Sequence, residues 1–180
     1  MIGAVVLAAG AASRFGAPKQ RLLLAEVLSR LDRAPVDEVV VVEGAYPLGN
    51  LPPHVRRVAC AEWEQGPGAS LRCGLAALSS AVEAAVVVLA DGPDLAPAAV
   101  ARVLDSWRRQ GGDVVAASYG GVRGHPLVLA RAAWADVPPE GLRVREPRLV
   151  SCDDLGSPGD VDVPDDLPER LRQRDAGSER

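Results

Sequence analysis

Apolar residues along the chain follow two alternating rhythms. Residues 2–8 (IGAVVLA), 37–43 (DEVVVVE), 85–90 (AVVVLA) and 113–118 (DVVAAS) are runs in which apolar residues follow one another without regular polar interruption. Such runs predict strands buried on both faces. Between them lie stretches with apolar residues three or four apart: 21–34, with Leu24, Val27, Leu28 and Leu31, then 69–82, with Leu71, Leu75 and Leu78, then 97–110. That spacing predicts helices. The third has Pro97 in its first turn and stops at Gly111-Gly112, as helix starts and ends require. Short strands are predicted at 55–59 and near 148–152, and a last helix from Pro164 to about Arg172. The run YGGVRGHP, Tyr119 to Pro126, reads as a glycine-rich turn, and residues 174–180 as a disordered tail.

Strand–helix–strand alternation predicts one α/β domain over residues 1–173, with no repeat or linker dividing it. The architecture expected is a Rossmann-like three-layer sandwich, a mostly parallel sheet with helices on both faces. Ligands bind such sheets beyond the carboxyl ends of the strands, where strand order reverses. The loops at 9–19, 44–53, 60–69 and 91–96 are therefore the first to read for chemistry.

Composition narrows the partners. The 180 residues are 48% hydrophobic and 24% charged, ordinary for a soluble globular chain. Aromatics make up 3%, which leaves no row of rings on which bases could stack. A net charge of −4 and a pI near 5.2 argue against nucleic acid or an anionic membrane as the main partner. No apolar run approaches the roughly 18 residues of a membrane span. Residues 1–9 are apolar, yet no basic region precedes them, so a secretory leader is not expected. Cys60, Cys73 and Cys152 are odd in number, far apart and without a C-x-x-C pair. Neither a disulfide scaffold nor a zinc site is expected, and a cytoplasmic location follows. Of 20 basic residues one is lysine, Lys19, and it lies in the glycine-punctuated N-terminal loop.

Three runs carry candidate chemistry. The loop LAAGAASRFGAPK, Leu7 to Lys19, follows a buried strand and feeds a helix. Gly10 permits close backbone approach and Gly16 a left-handed turn, so the free N–H groups could wrap an oligophosphate, with Arg14 and Lys19 supplying charge. It is neither G-x-G-x-x-G nor a Walker A motif; a plain strand-to-helix turn with an exposed lysine is the competing reading. ADGPD, Ala90 to Asp94, follows the strongest strand, and Asp91 there could hold Mg²⁺ against phosphate oxygens or simply form an Asx turn. Asp94 suits a turn or a cap for the helix at Pro97. In DVDVPDDL, alternation puts Asp160 and Asp162 on one strand face, as a second carboxylate for that ion. Asp165 and Asp166 read as a solvated start to the last helix. Ser70 could bond a base or ribose, or cap its helix, and His125 reads as a hydrogen-bonded structural histidine. Nothing arranges a covalent nucleophile.

Taken together, L-A-A-G-x-x-S-R-F-G-x-P-K, W-x-x-G-x-x-x-S-L-x-x-G-L, D-x-P, G-x-R-G-H-P and D-V-D-x-P-x-D-L, in that order over residues 2–167, resemble the MobA-like NTP transferases, and within them the molybdenum cofactor cytidylyltransferases. The resemblance implies a fold of the nucleotide-diphospho-sugar transferase type. It implies a nucleotide site at Leu7, Ala8, Ala9, Gly10, Ser13, Arg14, Lys19 and Ser70, with Arg14 and Lys19 catalytic, Mg²⁺ on Asp91 and Asp162, and an acceptor side at Gly124, His125 and Pro126. The substrates would be an NTP, CTP ahead of GTP, and a small phosphorylated acceptor of the molybdopterin kind; a molybdoenzyme would be the partner served. Three departures stand out. Residues 17–43 contain no glycine, so the segment after Lys19 is shorter than the family's. PEGLR, Pro139 to Arg143, replaces an aspartate-bearing element, and Gly92 stands where a larger residue is usual. The shortened segment motivates a second reading, a degenerate relative that holds a nucleotide or finished cofactor for delivery without turnover.

Overall fold

In the computed structural model of the chain, the apolar runs form β1 (Ile2–Ala8), β2 (Glu38–Glu43), β3 (Val55–Ala59), β4 (Ala84–Leu89), β5 (Val114–Tyr119), β6 (Val122–Ala130) and β7 (Arg148–Ser151). Three helices, α1 (Ala17–Leu31), α2 (Pro67–Ala77) and α3 (Pro97–Gln110), lie between them. The structure describes residues 1–9, 17–45, 47–159, 161, 168, 169 and 171, with only the backbone of 17–21. Gly10, Ser13, Arg14, Asp160 and Asp162 lie outside the described residues, as do the 174–180 tail and most of the predicted last helix.

The described strands make one sheet in the order β3-β2-β1-β4-β6-β5-β7. All run parallel except β6, which opposes both its neighbours, β4 and β5. The expected mostly parallel α/β sandwich is therefore present. Alternate residues of each central strand face opposite layers. Ala4, Val6, Val39, Val41, Val86 and Val88 pack with Leu24, Val27, Leu28 and Leu31 of α1 and with Val100, Val103 and Leu104 of α3. Val5, Val40, Val42, Ala85 and Val87 pack on the other face with Leu71 and Leu75 of α2. Pro97 opens α3 after Ala96, and Gly111, at φ 65°, ends it by giving its N–H to the Trp107 carbonyl at 2.7 Å.

Two helices have different limits from those their apolar spacing suggests. α1 starts at Ala17, which brings Lys19 onto its first turn, and ends at Leu31 rather than near residue 34. α2 begins at Pro67 and closes at Ala77, because Leu78 turns to extended backbone at ψ 148°. Leu78 remains buried (6% exposed) without being helical, which is why spacing alone overextends the helix.

The largest departure is β6. The run read as a turn contains a turn only at Gly120-Gly121, both at positive φ, after which nine residues form a strand. Gly124 and Pro126 obscure it in the sequence, since proline in a strand interior forfeits a ladder donor. Here both fall in a bulge. Arg123 pairs with Ser118 and Leu127 with Ala116, so Gly124, His125 and Pro126 face the single residue Ala117, and the missing N–H of proline leaves no gap in the ladder.

The cysteine expectation is also corrected. Cys60, just past β3, and Cys73, inside α2, form a disulfide with a Cα–Cα distance of 5.9 Å. They are 13 positions apart in sequence, but the connection doubles back, so distance along the chain is a poor guide to distance in space. Cys152 is free and buried.

Close packing of α2 on the sheet depends on Gly74. A Cβ there would come within 2.5 Å of Val5 Cγ1 and 2.8 Å of Val42 Cγ2. Alanine gains about 1 kcal/mol of helix propensity over glycine, while overpacking against stiff valines costs about 1–3 kcal/mol. The clash wins. Gly74→Ala is expected to lower the urea midpoint; a raised midpoint would show that α2 can lift without penalty.

Candidate active site

Strand order reverses between β1 and β4, since β1 has β2 on one side and β4 on the other. The Leu7 carbonyl accepts from the Ala90 N–H at 3.1 Å, which holds the two strand ends together just before they diverge. From β1 the chain leaves through Ala8 and the buried Ala9; from β4 it leaves through Asp91. The half-buried Asp91 gives its carbonyl to the Val161 N–H at 3.2 Å, and the Asp94 N–H bonds the Pro158 carbonyl at 2.8 Å. Pro158 and Val161 thus lie beside 91–94. Val161 is the chain neighbour of Asp160 and Asp162. Asp94 does not cap α3, whose N-cap is Ala96 without a side-chain bond; one of its oxygens lies 3.8 Å from the Arg30 guanidinium.

Ser70 does not cap α2 either. The cap position is Gly66, and Ser70 sits inside the helix, 5% exposed. The first turn of α2 is tied to the opposite wall of the crevice, with the Gly68 N–H bonding the Pro139 carbonyl at 3.0 Å.

Beyond the β1–β4 junction a crevice opens between β4 and β6. Their pairing ends at Val87 and Leu127, although β4 runs on to Leu89. Two cavities flank the gap. One of about 330 Å³ on the α2 side is lined by Leu7, Leu71, Leu89 and Leu142 among others. The other, about 340 Å³, includes Gly92, Leu95 and Ser157–Gly159. Leu89, Arg123, Gly124 and His125 line both. Of the acceptor-side trio named from sequence, Gly124 and His125 therefore face the crevice, and Pro126 is buried behind them.

Arg123 and Leu142 were not singled out by sequence reasoning. Arg123 donates from Nη2 to the Leu142 carbonyl at 2.8 Å and from Nη1 to the Arg145 carbonyl at 2.7 Å, so it holds the 141–145 wall against β6. Leu142 belongs to the PEGLR run, noted only for the aspartate it lacks. The available signal was one charged side chain in an otherwise small and apolar run, GGVRGHPLVLA. His125 has its carbonyl bonded by the Tyr119 hydroxyl at 2.9 Å. Burial, with the Arg123 charge beside it, pushes its imidazole down to about 4, so it is neutral near pH 7.

The doubly wound sheet with a crevice at its switch point defines the class of α/β proteins that bind ligands across strand ends. A family model described as MobA-like NTP transferase domain matches residues 4–145, and the chain belongs to that family. It is accordingly a nucleotidyltransferase. Among solved structures, Rv0371c from Mycobacterium tuberculosis H37Rv aligns with a TM-score of 0.77 at 27% identity, covering 95% of this chain and 97% of that one. A structure of Rv0371C in complex with manganese gives 0.74 at 26%, covering 96% and 98%. A nucleotidyl transferase from Methanothermobacter thermautotroptrophicus, at 21% identity and a TM-score of 0.71 over 99% and 98% of the two chains, shares the fold. No curated protein matches the chain. No helix among the described residues is long and apolar enough to cross a membrane.

The imidazole titration has a measurable sign. With the folded pKa of His125 near 4 and the ordinary value 6.5, unfolding takes up a proton between those limits. The contribution of His125 is complete above pH 6.5 and is lost as pH falls towards 4. Across that window wild type should lose stability faster than His125→Gln, by up to about 1.4 kcal/mol per pH unit. Urea titrations at several pH values would reveal the difference; parallel curves would mean that His125 is solvated.

Proposed function

We propose that this nucleotidyltransferase transfers an NMP group from an NTP, CTP ahead of GTP, to a phosphate of a small pterin-type acceptor of the molybdenum cofactor kind. The supporting observation is the family match over residues 4–145 on a sheet whose switch point gathers the exits of β1 and β4. An acceptor phosphate oxygen attacks the α-phosphorus in line. A new P–O bond forms there, the bond from the α-phosphorus to the bridging oxygen breaks, and that oxygen leaves with the electron pair as pyrophosphate. Because the attacking phosphate is already anionic, alignment and charge stabilisation matter more than base catalysis.

The Leu7–Lys19 loop is proposed to wrap the triphosphate with Ala8, Ala9, Gly10 and Ser13, and Ser70 to stand towards the base or ribose. Lys19 lies on the first turn of α1, where unbonded N–H groups and the helix dipole already favour phosphate. Arg14 and Lys19 supply the charge that neutralises the leaving pyrophosphate.

A divalent cation fits the donors present. Asp91 is a half-buried carboxylate at a strand end, bonded through its carbonyl to the chain neighbour of Asp162. Such a pair of carboxylates suits Mg²⁺, which commonly takes one or two and completes its shell with water and phosphate. When bound it would supply Lewis-acid neutralisation of the transferring phosphoryl group. That a structure of Rv0371C is a complex with manganese supports a divalent cation as the cofactor.

Calorimetric titration of CTP, GTP and ATP, each with and without Mg²⁺, tests the reading. One NTP should bind only with the cation, and Lys19→Ala should weaken that binding while lowering turnover by on the order of 10²-fold. Asp91→Asn should raise the cation concentration needed for half-maximal pyrophosphate release. Full activity in Lys19→Ala would remove the phosphate cradle, and binding without pyrophosphate release would favour the delivery role.

A further inference from the structure

Arg123 stands where the two cavities of the β4–β6 crevice meet. Two of its N–H groups go to the carbonyls of Leu142 and Arg145. No carboxylate among the described residues lies within ion-pairing distance of it. Arg72, Arg131, Arg145 and Arg148 also bond carbonyls without a carboxylate among the described residues, but none of them lines the crevice. Burial lowers its pKa, yet an arginine in a protein keeps its charge. Arg123 is partly buried, and a guanidinium held by neutral carbonyls keeps its charge and its remaining donors for an anion. The neighbouring imidazole is neutral and adds no second charge. Glu140 and Arg143, the other charged residues lining the α2-side cavity, are both exposed at its rim. The wall beside Arg123 is apolar, formed by Leu7, Leu71, Val87, Leu89, Leu127 and Leu142. A polyhydroxylated body would lose hydrogen bonds to water there without replacement, whereas an apolar or planar aromatic one would not.

We propose that Arg123 recognises the acceptor: its guanidinium, fixed by the Leu142 and Arg145 carbonyls and lacking a carboxylate partner, binds the phosphate of a molecule whose planar or apolar body fills the leucine-lined cavity. Calling that molecule the acceptor rests on the nucleotidyltransferase reading; the anion site does not. The three remaining N–H donors of the fork suit a tetrahedral oxyanion. The hold on the 141–145 wall makes Arg123 a specificity residue as well as a brace.

The test compares phenyl phosphate with phenol as probes, titrated by NMR against the whole protein. Wild type should prefer phenyl phosphate by about tenfold or more, as a charge-assisted contact predicts. Arg123→Met should bring the two affinities together while phenol still binds, and Arg123→Lys should keep part of the preference. No preference in wild type, or an undiminished preference in Arg123→Met, would overturn the proposal. So would equal loss of both probes in Arg123→Met, which would leave the arginine a brace alone. CTP titrated in parallel with Mn²⁺ separates the two readings. Failure to bind CTP counts against the nucleotidyl transfer, while the phenyl phosphate preference still decides the role of Arg123.

Discussion

Antiparallel β6 cannot follow β4 to its end. Three residues, Gly124, His125 and Pro126, must be accommodated opposite Ala117 of β5, and one of them has no N–H to offer. The pairing with β4 therefore stops at Leu127, and the last turn of the pleat in β4 faces an opening rather than a partner. Everything else in the crevice depends on that interruption. Leu89 becomes cavity wall instead of ladder, and Arg123 and His125 are aimed at the gap. Exposing unpaired strand at the carboxyl edge would cost hydrogen bonds in a closed core, but at a ligand site the same interruption makes room.

The irregular chain beyond β6 is secured in a different way from the sheet. Arg131 reaches the carbonyls of Ser79 and Val82, Arg145 that of Asp136, Arg72 that of Val137 and Arg148 those of Ser106 and Gly111. Arg102 binds Asp154 with both ends of its fork, at 2.5 and 2.9 Å. A planar cation with five donors can satisfy carbonyls that no neighbouring strand reaches. The arginine bias of the composition, which carries little meaning as a sum, here serves to fasten loops to a scaffold.

The central strands were legible because burial on both faces writes an apolar run directly into the sequence, and α3 was legible to the residue because Pro97 and Gly111 mark its ends. β6 was not, since the residues that make its bulge are those that ordinarily signal a turn. Helix ends without a marker, as at Leu78, drifted because a buried side chain keeps its place in the pattern after the backbone has left the helix. The family could be read from ordered motifs. Asp91 follows the end of β4, and Gly124 and His125 face the crevice from the bulge of β6. Arg123 was missed because its significance lies in what surrounds it, two carbonyls and no carboxylate, and a linear motif does not display surroundings. The Cys60–Cys73 bond escaped for the same reason.

β1 precedes every other described strand of the sheet in the chain and is one of the innermost. Its partners on either side are β2, which begins at Glu38, and β4, whose first pairing joins Ala84 to Ile2. Until the ribosome has released residues into the eighties, one whole edge of an entirely apolar strand has nothing to pair with. At about 5–20 residues per second that interval lasts some seconds, during which the nascent chain offers a sticky, β-prone segment to its neighbours. The order of strands along the chain and their order in space are thus at odds in this fold, and the vulnerability of the sheet to misassembly is concentrated in β1.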